Sequence, residues 1–154
     1  MYTQEEAKKL RKNFWIMFAK RCEIVPELKG RGKKWMLYDT KISGLDLKFE
    51  IDRNEALVMI ELNSKSEDRR IQLYEQLERY RVIIEEGLGN KLEWELCCTL
   101  PRGEEVSRIF IRKTGVDIHR QNQWPDIYNF FIDNMLLLER NFLEIRDLIA
   151  SEVG

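Results

Sequence analysis

Apolar positions recur at helical spacing near both ends of the chain and at every second position in two stretches between them. Ala7, Leu10, Phe14, Met17 and Phe18 share one side of a helical period, Lys8, Lys9, Arg11 and Lys12 the other, and Thr3-Gln4-Glu5-Glu6 reads as a capping box ahead of them. The pattern predicts a first helix to about Cys22. Pro26 and the run Lys29-Gly30-Arg31-Gly32-Lys33-Lys34 then break the period, as glycine and crowded like charges do, and predict a loop.

From Trp35 the period becomes two. Trp35 and Leu37 predict a short strand, and Leu45, Leu47, Phe49 and Ile51 alternate with Asp46, Lys48, Glu50 and Asp52 in the next, which therefore has one wet face. Arg53-Asn54 separates it from Ala56, Val58, Ile60 and Leu62, so a tight hairpin is expected with Asn54 in a left-handed position. A two-residue turn there sets Asp46 opposite Glu61.

Ser64 and Glu67 read as a second capping box, opening a helix with Leu73, Leu77, Tyr80, Ile84 and Leu88 on one stripe and a stop at Gly87 or Gly89. Leu92, Trp94, Leu96 and Cys98, then Ile109 and Ile111, alternate as a second hairpin across Pro101-Arg102-Gly103, with Glu93 and Glu95 facing Arg108 and Arg112. Trp124-Pro125 opens a last helix to about Ser151. Its core stripe is Ile127, Phe131, Leu138, Phe142, Ile145 and Ile149, widened by Phe130, Met135, Leu136, Leu137 and Leu143. That excess fits burial between layers or a seam for a protein partner or homodimer.

The fold class expected is α+β, in the order α-β-β-β-α-β-β-α: a three-strand meander plus a hairpin, in an antiparallel-rich sheet packed by three helices. A distant similarity to the αβββαβ core of restriction-endonuclease-like proteins goes with that order. The 154 residues, 44% hydrophobic and 34% charged, fit a single domain over 1–154 that buries its core without disulfides or metals.

Charge changes the picture only locally. The net charge is -1, yet residues 1 to 34 carry ten Lys/Arg against four Glu, and the remainder is acidic. The N-terminus is polar and acidic where a signal peptide would be basic and then apolar, and the longest apolar cluster, Met135 to Leu138, falls far short of the roughly 20 residues that span a bilayer. No membrane association is expected, and Cys22, Cys97 and Cys98, without metal-ligand spacing, read as reduced thiols of a cytoplasmic protein.

Several local runs keep a common order: Phe14-Trp15, Ser43-Gly44-Leu45, Leu92-Glu93-Trp94-Glu95 after Gly87-Leu88-Gly89, Ser107-Arg108-Ile109 and Trp124-Pro125-Asp126-Ile127. With them the chain resembles a bacterial and archaeal family catalogued as domain-of-unknown-function family 4268. The resemblance implies a small protein that stands alone or follows predicted nuclease-type domains, in a nucleic-acid or defence-related setting. It carries no catalytic residues.

Two constellations offer chemistry. Asp46 and Glu61, facing one another on a wet strand face beside Lys48, form a carboxylate pair that Mg²⁺ could bridge, as in a divergent PD-(D/E)xK nuclease. Asn63 stands where that motif wants lysine; Lys48 or Lys65 would have to replace it, and Glu5 or Glu6 would supply the helix acid. The second is Lys29, Arg31, Lys33 and Lys34, a basic loop followed by Trp35 and Tyr38 that could grip phosphates and stack a base. A solvated strand face and a solvated loop are the plainer accounts. His119 is the one histidine, which removes paired-His metal sites. The reading favoured is a non-enzymatic accessory or protein-interaction module; the alternative is a metal-dependent nuclease or nucleic-acid-binding protein.

Overall fold

The computed structural model describes residues 2–31, 35 and 38–153. Helix α1 (Gln4–Glu23) begins as its sequence requires: Thr3 Oγ1 accepts from the Glu6 amide at 3.1 Å, and Glu6 returns the bond to Thr3. Strands β1 (Leu45–Ile51) and β2 (Glu55–Leu62) form a hairpin in the expected register, with Asp46 opposite Glu61. Its turn differs in chemistry, because Asn54 does not take a positive φ. Asp52 Oδ1 instead accepts from the amides of Asn54 (2.7 Å) and Glu55 (2.9 Å), which holds the turn from its first residue.

Two further expectations are corrected. Ser66, not Ser64, caps helix α2 (Glu67–Arg79), its Oγ accepting from the Arg69 amide. The helix expected to reach Gly87 also breaks at Tyr80, beyond which α3 (Arg81–Ile84) forms a single turn. β3 (Glu93–Thr99) and β4 (Glu105–Thr114) make the second hairpin, and α4 (Trp124–Val153) closes the chain. Of the first expected strand, Trp35 stands in a 3-10 turn and Leu37 lies outside the described residues.

The sheet is antiparallel throughout, in the order β1-β2-β4-β3. Alternation along the strands gives it two faces. One carries Leu45, Leu47, Ile51, Ala56, Val58, Ile60, Leu62, Ile109 and Ile111, packed with the buried residues of α1, α2, α3 and α4 in the main core. Phe14, Phe18, Phe49 and Phe131 interlock there with mostly edge-on or tilted rings, and Tyr128 Oη donates to the Phe14 carbonyl at 2.7 Å. Fully burying the rings of Phe14, Phe18 and Phe131 contributes about 1.5–3 kcal/mol each. The other face has its own small apolar cluster, Leu57, Met59 and Phe110, drawn from strands alone.

The widened stripe of the last helix resolves into layers. Met135 is fully buried, Phe130, Leu136 and Leu137 are half-buried, and among the residues that widen it Leu143 alone is exposed, at 42%. Among the described residues no helix is long and apolar enough to cross a membrane.

Candidate functional site: the open face and edge of the sheet

Because β2 and β4 are the inner strands, their outward residues form the middle of the helix-free face. Register places Met59 beside Phe110, Leu57 beside Arg112 and Glu61 beside Arg108. The Arg108 and Arg112 guanidinium groups lie 5.7 and 5.2 Å from the Phe110 ring centre, so their stems and planes roof the apolar cluster; Arg108 is itself buried, while Arg112 is half-exposed. Arg108 Nη2 bonds Glu50 Oε2 at 2.6 Å, and Arg112 bonds Glu55 (2.7 Å) and Glu93 (3.2 Å). The cross-strand charge pairing foreseen for the second hairpin thus exists between Arg112 and Glu93, while Arg108 crosses β2 to reach β1.

The Asp46–Glu61 pair lies at the β1 side of this lattice. Asn63 Nδ2 donates to Asp46 Oδ2 at 2.7 Å and to Glu61 Oε1 at 3.0 Å, and Lys48 Nζ reaches the same Glu61 oxygen at 2.8 Å. The Glu61 side chain is only 5% exposed. The protein's own amide and ammonium therefore bridge the two carboxylates. Among the described residues no three His, Cys, Asp or Glu gather so as to hold a metal ion. Glu5 and Glu6 lie in the first turn of α1, where Glu6 is engaged by the cap that lowers its carboxyl pKa, and Lys65 is exposed.

Arg108 has two further features. Nη1 lies 3.4 Å from Cys98 Sγ, and Nε is buried without a hydrogen-bond partner. Cys97 points the other way and is exposed; Cys22 is half-buried, and desolvation pushes its thiol up to about 11. All three cysteines are free.

Of the basic loop the described residues are Lys29, Gly30 and Arg31. Lys29 is exposed, whereas Arg31 forms a two-pronged pair with Glu139 of α4, at 2.9 and 2.7 Å, and lies over the rings of Trp35 and Tyr38. That hydrogen bond to Glu139 raises the Arg31 pKa. Lys33 and Lys34 lie outside the described residues. His119 meets Tyr2 edge-on at 5.0 Å, and its amide donates to Asp117, which also pairs with Arg53 at 3.0 Å.

Sequence reasoning missed a cavity of about 360 Å³ at the β1 edge, lined by Trp15, Trp35, Leu47 and Phe49 on the core side and by Lys48, Glu50 and Glu61 on the open side. Trp35 is 7% exposed, and its indole Nε1 is buried with no partner. Alternation marked Trp35 and Phe49 as apolar strand positions but did not bring Trp15 of α1 beside them, and an indole N–H buried without a partner is visible only in three dimensions.

Among curated proteins and solved structures nothing matches this chain. Over residues 10–146 the sequence matches the family described as Domain of unknown function (DUF4268), and the chain belongs to that family.

Proposed function

We propose that this domain acts by binding another protein rather than by catalysis. The observation that carries the reading is the helix-free sheet face, where Asp46, Glu50, Glu55, Glu61, Glu93 and Glu95 outnumber Lys48, Arg108 and Arg112 around an apolar centre. Much of this lattice is already paired, so little side-chain freedom remains to be lost on docking. Its acidic excess favours a partner with a basic surface and repels a phosphate backbone. The last helix leaves Leu143 and Leu148 exposed, the observation that favours a homodimer seam. The three free thiols support a place in a reducing cytoplasm.

The alternative is a divergent Mg²⁺-dependent nuclease using Asp46, Glu61 and Lys48, or a nucleic-acid binder. The pairing of Asp46 with Glu61 favours it, and the bridge through Asn63 weighs against it. Cross-linking of the tagged chain in its host cells, read by mass spectrometry, tests the two together. A recurrent partner that is lost when Glu93→Lys and Glu95→Lys are combined supports interaction. Cleavage of DNA or RNA by the purified chain with Mg²⁺ or Mn²⁺, abolished by Glu61→Gln, overturns it.

A further inference from the structure

In an antiparallel ladder, residues that exchange backbone hydrogen bonds with the partner strand alternate with residues whose N–H and C=O face away. At the two ends of the β1–β2 register the Asn63 amide donates to the Gly44 carbonyl (2.9 Å) and the Asp52 amide to the Glu55 carbonyl (3.1 Å). The even-numbered positions of β1 thus bond inward, and Leu45, Leu47, Phe49 and Ile51 turn their backbone groups outward. β1 is an edge strand, so outward means unpaired by the sheet.

The chain closes both ends of this edge itself. The Leu45 amide donates to the Ile42 carbonyl, the Leu45 carbonyl accepts from Thr40 Oγ1 at 2.7 Å, and the Ile51 carbonyl accepts from Arg11 Nη2 at 3.0 Å. Between these closures Leu47 and Phe49 offer their N–H and C=O groups with no partner among the described residues. The aromatic cavity opens at the same place, with Trp15, Trp35 and Phe49 in its wall. The opposite edge is blunted instead, because β3 carries a register shift between Glu95 and Cys98.

Resting on the protein-binding reading, we propose that the β1 edge between Thr40 and Arg11 receives an extended peptide segment of the partner. The added strand bonds its backbone to Leu47 and Phe49 and seats an apolar side chain against Trp15, Trp35 and Phe49. Side chains of a strand alternate between faces, so the neighbouring residue of the segment falls beside Asp46, Lys48 and Glu50. Two of those three are acids, and a basic residue suits that position. Four backbone groups at strand spacing call for a peptide rather than a compact small molecule.

The test uses the full chain, isotope-labelled, and an end-blocked hexapeptide of alternating Lys and Phe, with a twin N-methylated at alternate residues. In the free protein the Leu47 and Phe49 amides are expected to exchange with solvent at least about a hundredfold faster than those of β2, as groups outside the ladder do. The hexapeptide should slow both and shift the Trp35 indole proton, and the methylated twin should do neither. Trp35→Phe shrinks the cavity wall on which the apolar side chain packs, and should weaken binding by about fivefold. Amides already protected in the free chain, or equal binding of the methylated twin, overturn the edge site. So does a natural partner that cross-links only to β3 or α4, an outcome that leaves the protein-binding reading standing. Metal-dependent cleavage of nucleic acid overturns that reading itself.

Discussion

Asn63 occupies the place where a nuclease motif would carry lysine, and its amide holds two carboxylates at once. Facing carboxylates repel unless something is set between them, and here a neutral donor and the Lys48 ammonium answer that need. The Asp46–Glu61 pairing was legible from the length of the Arg53-Asn54 turn, since a one-residue slip would have turned every apolar side chain of β1 to water. The partner of Arg31 was not legible, because Glu139 comes into reach only when α4 folds back over the loop. Asp117 gives a pH test at this scale. Against a desolvation that would raise it, the Arg53 guanidinium and the His119 amide hold its carboxyl below the usual range. A depressed folded-state pKa adds stability above the unfolded value and loses it as pH falls through the folded one. The stability gap between the wild type and Arg53→Met, read by urea unfolding, is therefore expected to be widest near neutral pH and to close in acid; a gap that persists unchanged at low pH removes the ion pair as its cause.

At the scale of elements, the alternating and helical periods located the four strands and the α-helices of the described residues, apart from the break at Tyr80, but not the short 3-10 turns at Pro26–Leu28, Gly89–Lys91 and Gln121–Gln123, and Trp35, expected in a strand, stands in a 3-10 turn. Nothing in the run from Glu67 to Glu86 signals that break, since no proline or glycine interrupts it; beyond it α3 packs on α4. Asn141, fully buried on α4, donates from Nδ2 to the carbonyls of Ile84 and Glu86, both at 2.8 Å, and so satisfies the groups that the end of α3 leaves over. Gly87 follows at φ 78°, and a Cβ there would meet Leu137 Cδ2 at 3.4 Å, so the stop read from glycine is also a point of close approach to α4. Asn141→Leu preserves volume but strips both carbonyls of their donor. Its expected cost is about 1–3 kcal/mol, measured as a lower urea midpoint with unchanged slope. An unchanged midpoint would show that water replaces the amide.

For the whole molecule, the class of fold followed from sequence because alternation and helical period differ, whereas the order β1-β2-β4-β3 did not, because it depends on which hairpin strand meets which. The covered face and the open face were likewise only half legible: the wet face expected for β1 is there in Asp46, Lys48 and Glu50, but the burial of Leu57 and Met59 of β2 and Phe110 of β4 beneath arginine stems was not read. Seven of the eight residues of β2 are buried, and with β4 it fills the centre of the sheet. Amide exchange in the free chain should therefore be slowest in β2 and β4 and faster in β3; uniform protection across the sheet would contradict a graded centre-to-edge stability. The pairing of Leu62 with Ser107 has a kinetic meaning as well. Each hairpin closes across a short turn, but the join between them must wait until α2, α3 and β3 have been drawn out of the way, so the sheet cannot zip from one end. That seam is the slow contact of folding, and a chain weakened there should come apart as two intact hairpins rather than as a sheet unravelling strand by strand.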